Sequence, residues 1–168
     1  MQINNRTKVY IDGANLYRGS KSLEWKFDYK NFYIWLSENF KTEEIYFFIG
    51  FVEDQKKLYS FLEKIGYKII FKKTLKSKGK IKGNCDAELV LKAVVDIFRE
   101  EFDDFVLVSS DGDFACLLEF VRDENKEVTV ISPSKKLSYL IRRLQCEITY
   151  LDSLRKKLDK KKRPLNGN

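Results

Sequence analysis

The chain contains no histidine. That absence removes Ser-His-Asp triads, Cys-His pairs, imidazole acid–base chemistry and His-ligated zinc. Cysteine is scarce as well. Cys85, Cys116 and Cys146 are odd in number and show no CxxC spacing, which fits reduced thiols of a cytosolic protein. No apolar run approaches the length of a membrane span, and the opening MQINNRTKVY lacks the apolar core of a secretion signal. A cytoplasmic location and no membrane partner are the resulting expectations. The chemistry that remains belongs to carboxylate, lysine, cysteine or tyrosine, or to a metal held by oxygen ligands.

What is present suits one domain with a single sizeable core: 168 residues, 43% of them hydrophobic. The net charge of +7 is unevenly spread. Lys72, Lys73, Lys76, Lys78, Lys80 and Lys82 crowd one segment that holds no acid. The stretch 155–163 adds Arg155, Lys156, Lys157 and further cations against Asp159 alone, and the rest of the chain is acidic. A polyanion gripped by a loop and a tail would account for this layout. A solvated lysine face would give the same composition.

Apolar patterning predicts strands over 8–12, 44–52, 67–72, 104–109 and 127–132, with a short one near 148–151. Helices are predicted from 15–20 and over 28–40, 55–65, 86–100, 112–125 and 136–144. A basic helix follows from Asp152. Gly66 stops the third of these helices. The lysine-rich 73–83 reads as a loop or a small hairpin. Strands alternating with helices indicate a three-layer α/β fold around a mainly parallel sheet. The runs FFIGFV and VLVS fit strands buried on both faces.

In such sheets ligands bind beyond the carboxyl ends of the strands, where the strand order reverses. Asp12 ends the first strand, Asp111 and Asp113 follow the fourth, and Asp86 opens the helix after the third. Each of Asp12, Asp86 and Asp111 also stands where a helix N-cap is wanted. A cap needs one carboxylate, however, and Asp111-Gly112-Asp113 supplies two. Four converging acids repel one another, and a divalent cation offsets that repulsion. Oxygen-only ligands point to Mg²⁺ or Mn²⁺.

The segments VYIDGANLY (9–17), KGNCDAELVLKAV (82–94) and VLVSSDGDFACLLEFVRDENKEVTVIS (106–132) together resemble the NYN domain family of the PIN-like nuclease superfamily, nearest its LabA-like branch. The resemblance implies a PIN-like Rossmannoid domain over 1–152, followed by a basic helix or tail over 153–168. It implies a metal-dependent endoribonuclease, with Asp12, Asn15, Asp86, Asp111 and Asp113 as site residues. Asp12, Asp86, Asp111 and Asp113 would hold Mg²⁺ or Mn²⁺. One departure is that Asn84-Cys85 intervenes between Gly83 and Asp86.

RNA is then the expected partner, and a homodimer is compatible with the sequence. Lys72, Lys73, Lys76, Lys78, Lys80, Lys82, Arg155, Lys156 and Lys157 would bind backbone phosphates. Ser109 and Ser110 would donate hydrogen bonds to phosphate or simply turn the strand end. Trp25 and Phe27, set among Arg18, Lys21 and Lys26, are the candidates for stacking on bases. Cys85 lacks an activating cation of the histidine type and reads as a structural thiol.

Two other functions fit parts of the pattern. One is a non-catalytic RNA-binding module of the same fold, which would not need all four acids. The other is an aspartyl phosphatase with a DxD motif. That mechanism places both acids after the first strand, and Asp12-Gly13-Ala14 lacks the second.

Overall fold

The computed structural model describes residues 5–72 and 85–160, together with the backbone of 75–77 and 80–82. Six strands form one sheet: β1 (Thr7–Asp12), β2 (Ile45–Gly50), β3 (Lys68–Lys72), β6 (Asp104–Val108), β7 (Glu127–Ser132) and β8 (Glu147–Tyr150). Their order is β3-β2-β1-β6-β7-β8 and every pairing is parallel. The lysine-rich stretch contributes a separate antiparallel pair, β4 (Leu75–Ser77) and β5 (Lys80–Lys82). The strand order reverses between β1 and β6, so the crevice for a ligand lies at their carboxyl ends.

Helices cover both faces. On one side lie α1 (Gly13–Lys21), α2 (Tyr29–Phe40) and α3 (Lys56–Ile65), burying Leu16, Phe32, Leu36 and Leu62 against Val9, Ile11, Val106 and Val108. On the other lie α4 (Asp86–Phe98), α5 (Ala115–Asp123) and the single-turn α6 (Tyr139–Arg142). These bury Leu89, Ala93, Leu117, Leu118 and Ile141 against Tyr10, Leu107 and Val130. Alternate residues of β1 and β6 thus feed opposite cores, which is why Val9–Ile11 and Phe105–Val108 are unbroken apolar runs. Asp28 caps α2 by accepting from the Asn31 N–H at 2.9 Å. Gly66 ends α3 with φ at 128°, a conformation that L side chains resist.

Four helices are shorter than the sequence pattern suggests. Residues 112–114 form a 3₁₀ turn before α5, and α4 ends at Phe98. The amphipathic stretch 136–144 is helical only over α6, because Ser138 caps it by accepting from the Leu140 N–H at 3.3 Å. The basic C-terminal helix is a 3₁₀ turn (Leu151–Leu154) followed by one turn, α7 (Arg155–Leu158). Leu151, Leu154 and Leu158 are buried in the core shared with α2, and Phe27 bridges Asp159. The first part of the basic stretch is therefore packed on the domain. Among the described residues, no helix is long and apolar enough to cross a membrane.

Candidate metal centre

The four aspartates meet at the β1/β6 switch point. Asp12 is the last residue of β1 and the N-cap of α1. Its Oδ1 accepts from the Asn15 N–H at 3.1 Å and its Oδ2 from the Ser109 hydroxyl at 3.1 Å. Asp12 thus caps a helix, and its charge is felt at Asp86. Asp111 caps the 3₁₀ turn, its Oδ1 accepting from the Asp113 N–H at 3.0 Å. Asp86 is the first residue of α4 and Cys85 is its N-cap, so Asp86 does not serve as a cap.

One carboxylate oxygen from each of Asp86, Asp111 and Asp113 lies within 4.8 Å of the other two. The Asn84-Cys85 insertion therefore does not hold Asp86 away from the turn. Asp12 stands outside this three-oxygen group but close enough to be felt. Burial, then the charges of Asp12, Asp111 and Asp113, push the Asp86 carboxyl up to about 6, against a smaller opposing pull from Lys72. Burial likewise raises the Asp12 carboxyl, with Asp111 adding to it and the Asn15 N–H, the Ser109 hydroxyl and Arg18 opposing it. The donor set is oxygen only and strongly anionic, which suits Mg²⁺ or Mn²⁺ rather than a softer ion.

Asn15 and Ser110 do not point at open solvent. The backbone N–H and the hydroxyl of Ser110 both donate to Asn15 Oδ1 at 3.0 Å. That pair ties α1 to the β6 end. The residue whose role is least legible in the sequence is Ser109, which is fully buried. Its hydroxyl donates to Asp12 and accepts from the Asp111 N–H at 3.1 Å, linking the two strand ends in one hydrogen-bond chain. A strand-terminal serine carries no local signal of such a role. Gly112 keeps the acid-bearing turn against α6: a Cβ there would stand 2.3 Å from Ser138 Oγ.

The cations divide into groups. Lys72 ends β3 and lies 3.9 Å from Glu88 on α4, and its charge acts on Asp86. Lys73, Lys76, Lys78, Lys80 and Lys82 have side chains outside the described residues. Arg155, Lys156 and Lys157 are exposed on α7, and Lys157 lines a shallow depression with Asn31, Trp35 and Glu38 of α2.

The expectation for Trp25 is overturned. It is buried, and its indole N–H donates to Asp152 at 2.9 Å. Phe27 packs against Tyr29 and Phe32 in the same core. An indole with an apolar body finds more stabilisation there than on a charged surface. Cys85 is also buried, and burial pushes its thiol up to about 11, so it stays protonated.

A hollow of about 810 Å³ opens at the opposite edge of the sheet among Asp104, Arg122, Glu127 and Glu147. At the acidic rim Asp12 is buried, Asp86 and Asp111 are half-buried and Asp113 is exposed.

Comparisons with known proteins agree with this geometry. The protein is 26% identical over 169 residues to the low amplitude and bright protein LabA of Synechococcus elongatus, covering 95% of this chain and 91% of that one. A crystal structure of a protein of unknown function from Vibrio parahaemolyticus superposes with a TM-score of 0.72 at 22% identity, over 90% of this chain and 96% of the other. That likeness concerns the fold alone. The family description "NYN domain" matches residues 6–152, a span that holds the whole sheet and all four rim aspartates. With the acids at the switch point and that match over most of its length, the chain belongs to the NYN domain family.

Proposed function

We propose that the protein is a metal-dependent endoribonuclease that cuts RNA phosphodiester bonds with an activated water. The observation that carries this reading is the approach of Asp86, Asp111 and Asp113 to within 4.8 Å at the sheet's switch point. Asp86, Asp111 and Asp113 would hold Mg²⁺ or Mn²⁺, with Asp12 alongside. When bound, the ion supplies Lewis-acid charge that acidifies water and offsets the charge of the phosphate.

The chain's own residues set the rest. Ser109 fixes one oxygen of Asp12 and the backbone of Asp111, so the two strand ends keep their relative positions. Asn15 is held through Ser110, leaving its amide N–H₂ to orient a phosphate oxygen. The acidic rim repels nucleic acid, so Lys72, the lysines of the β4–β5 hairpin, and Arg155, Lys156 and Lys157 supply the attraction.

The test is cleavage of labelled single-stranded RNA with Mn²⁺ or Mg²⁺, with EDTA as the reference. Wild type should cut, EDTA should stop it, and Asp12→Asn and Asp111→Asn should abolish cutting while binding persists. A wild-type protein that binds RNA and leaves it whole under every divalent ion is instead a binding module. Cleavage equal in wild type and both variants would assign the activity to a contaminant.

A further inference from the structure

Among the described residues, eight large apolar side chains are more than a third exposed. Two of them adjoin each other and the acidic turn: Tyr139, 68% exposed, and Leu140, 47% exposed, both on α6. The Ser138 N–H at the head of α6 donates to the Ser110 carbonyl at 3.3 Å. A Cβ placed on Gly112 would lie 3.5 Å from Leu140 Cδ1. The aromatic edge is thus built directly onto the turn that carries Asp111 and Asp113. Arg142 sits 5.9 Å over the Tyr139 ring, and Arg143 and Lys136 are exposed beside it.

We propose that Tyr139, with Leu140 next to it and Arg142 alongside, is a nucleobase-stacking subsite that directs the acidic rim to single-stranded nucleic acid. The inference rests on the reading of that rim as a nuclease site and names its substrate class. A ring that is two-thirds exposed leaves a face that only an unstacked base can cover. In a duplex both faces of each interior base are already occupied by neighbours. Stacking is indifferent to base identity, whereas Arg142, Arg143 and Lys136 complement the phosphates on either side. An apolar partner protein would gain little from an edge of two side chains flanked by cations.

Phe98, the most exposed of these aromatics, lacks this setting. Phe98 ends α4, the helix that begins at Asp86, so about 18 Å of helix separates it from the rim.

Binding is measured in EDTA, so that no cutting intervenes, with labelled single-stranded RNA, single-stranded DNA of the same sequence, and the duplex of each. Tyr139→Ala should weaken both single strands roughly tenfold or more, the range expected for removing one base–aromatic stack. It should leave duplex binding and the salt dependence nearly unchanged. Tyr139→Phe should bind like wild type, and a Tyr139→Trp protein should lose indole fluorescence when single strands are added. Phe98→Ala should behave as wild type.

The proposal is overturned if Tyr139→Ala binds single strands normally, if duplexes weaken equally, or if the loss is confined to one sugar type. Because the readout is binding without metal, failure of the cleavage assay leaves this result standing. Normal binding by Tyr139→Ala would likewise leave the nuclease reading intact.

Discussion

Helix α4 carries two aspartates with opposite fates. Asp86 opens it at the carboxyl rim of the sheet, and Asp96 lies about 15 Å further along, buried beneath β1. Asp96 is compensated by the protein itself. It accepts from the Tyr10 hydroxyl at 2.7 Å and pairs with Lys92 at 2.5 Å and Lys8 at 3.3 Å. Burial would raise its carboxyl, but the bonds from Lys92 and Tyr10 and the charges of Lys8 and Lys92 together lower it below the ordinary value. At Asp86 burial also raises the carboxyl, and the surrounding charges, mostly of its own sign, add to that rise instead of opposing it. A buried acid matched by cations is part of the scaffold. The mutual repulsion of a cluster of acids is what a bound cation would offset.

The sharpest way to break this contrast is to remove one acid from each region. Asp96→Ala strands the buried Tyr10 hydroxyl and leaves Lys8 with Glu101 alone, and should cost about 3–5 kcal/mol, a fall in Tm on the order of 10 °C. Asp111→Asn should cost little or raise Tm, since it relieves repulsion, yet reduce RNA cleavage at least roughly a hundredfold. Thermal unfolding and cleavage rates on both variants decide the matter. Equal Tm losses would make the rim a structural network like that of Asp96.

Metal addition is the next largest effect. An ion that binds only the folded protein at a hundred times its Kd stabilises by about 2.7 kcal/mol, or roughly 5–10 °C in Tm for a chain of this length. Mn²⁺ should produce that shift in wild type and not in Asp111→Asn. A shift of the same size in the variant would place the ion elsewhere.

The two acids should also respond to pH with opposite signs. Asp86 titrates near 6 when folded, above the ordinary Asp value of 3.8. As pH falls from 7 through 6, the folded protein takes up a proton before the unfolded chain does, so the metal-free protein gains stability between about 6 and 4. Asp96 is shifted below 3.8, so its contribution is complete above that value and is lost as pH falls beneath it. Metal-free unfolding from pH 7 to 3 should show a rise followed by a fall. Asp86→Asn should reduce the rise and leave the fall, what remains of the rise belonging to Asp12, whose carboxyl is raised as well; an unchanged rise would exclude Asp86 as its source.

Much of the scaffold can be read from local pattern, because doubly buried strands need unbroken apolar runs and helices such as α1 and α2 carry a capping aspartate. FFIGFV and VLVS form β2 and β6 for that reason. The convergence of Asp12, Asp86, Asp111 and Asp113 is legible from three ordered motifs. The features that local pattern does not reveal depend on partners remote in sequence. Trp25 looks exposed among its charged neighbours, but its hydrogen-bond partner is Asp152, 127 residues away. The basic stretch looks like a free tail, yet Leu151, Leu154 and Leu158 dock it on α2. Tyr139 reads as one position of a longer amphipathic helix until Ser138 cuts that helix to a single turn and leaves the ring outside.

That docking bears on the smallest effect. The Asp96 network keeps its cations within bonding distance, whereas the rim must borrow them from a distance. Arg155, Lys156 and Lys157 are displayed from a fixed turn whose leucine anchors are buried, so replacing all three by Gln should leave the unfolding free energy within about 1 kcal/mol of wild type. Each phosphate that these side chains no longer neutralise should reduce the salt slope of single-strand binding by about 0.7, and affinity should drop a few-fold at moderate salt. Cleavage at saturating RNA should be unchanged, because these residues attract the polymer and do not touch the acids. If the triple variant keeps the wild-type slope, the attraction comes from Lys72, Arg142 and their neighbours, and the cations serving the rim are then all local to it.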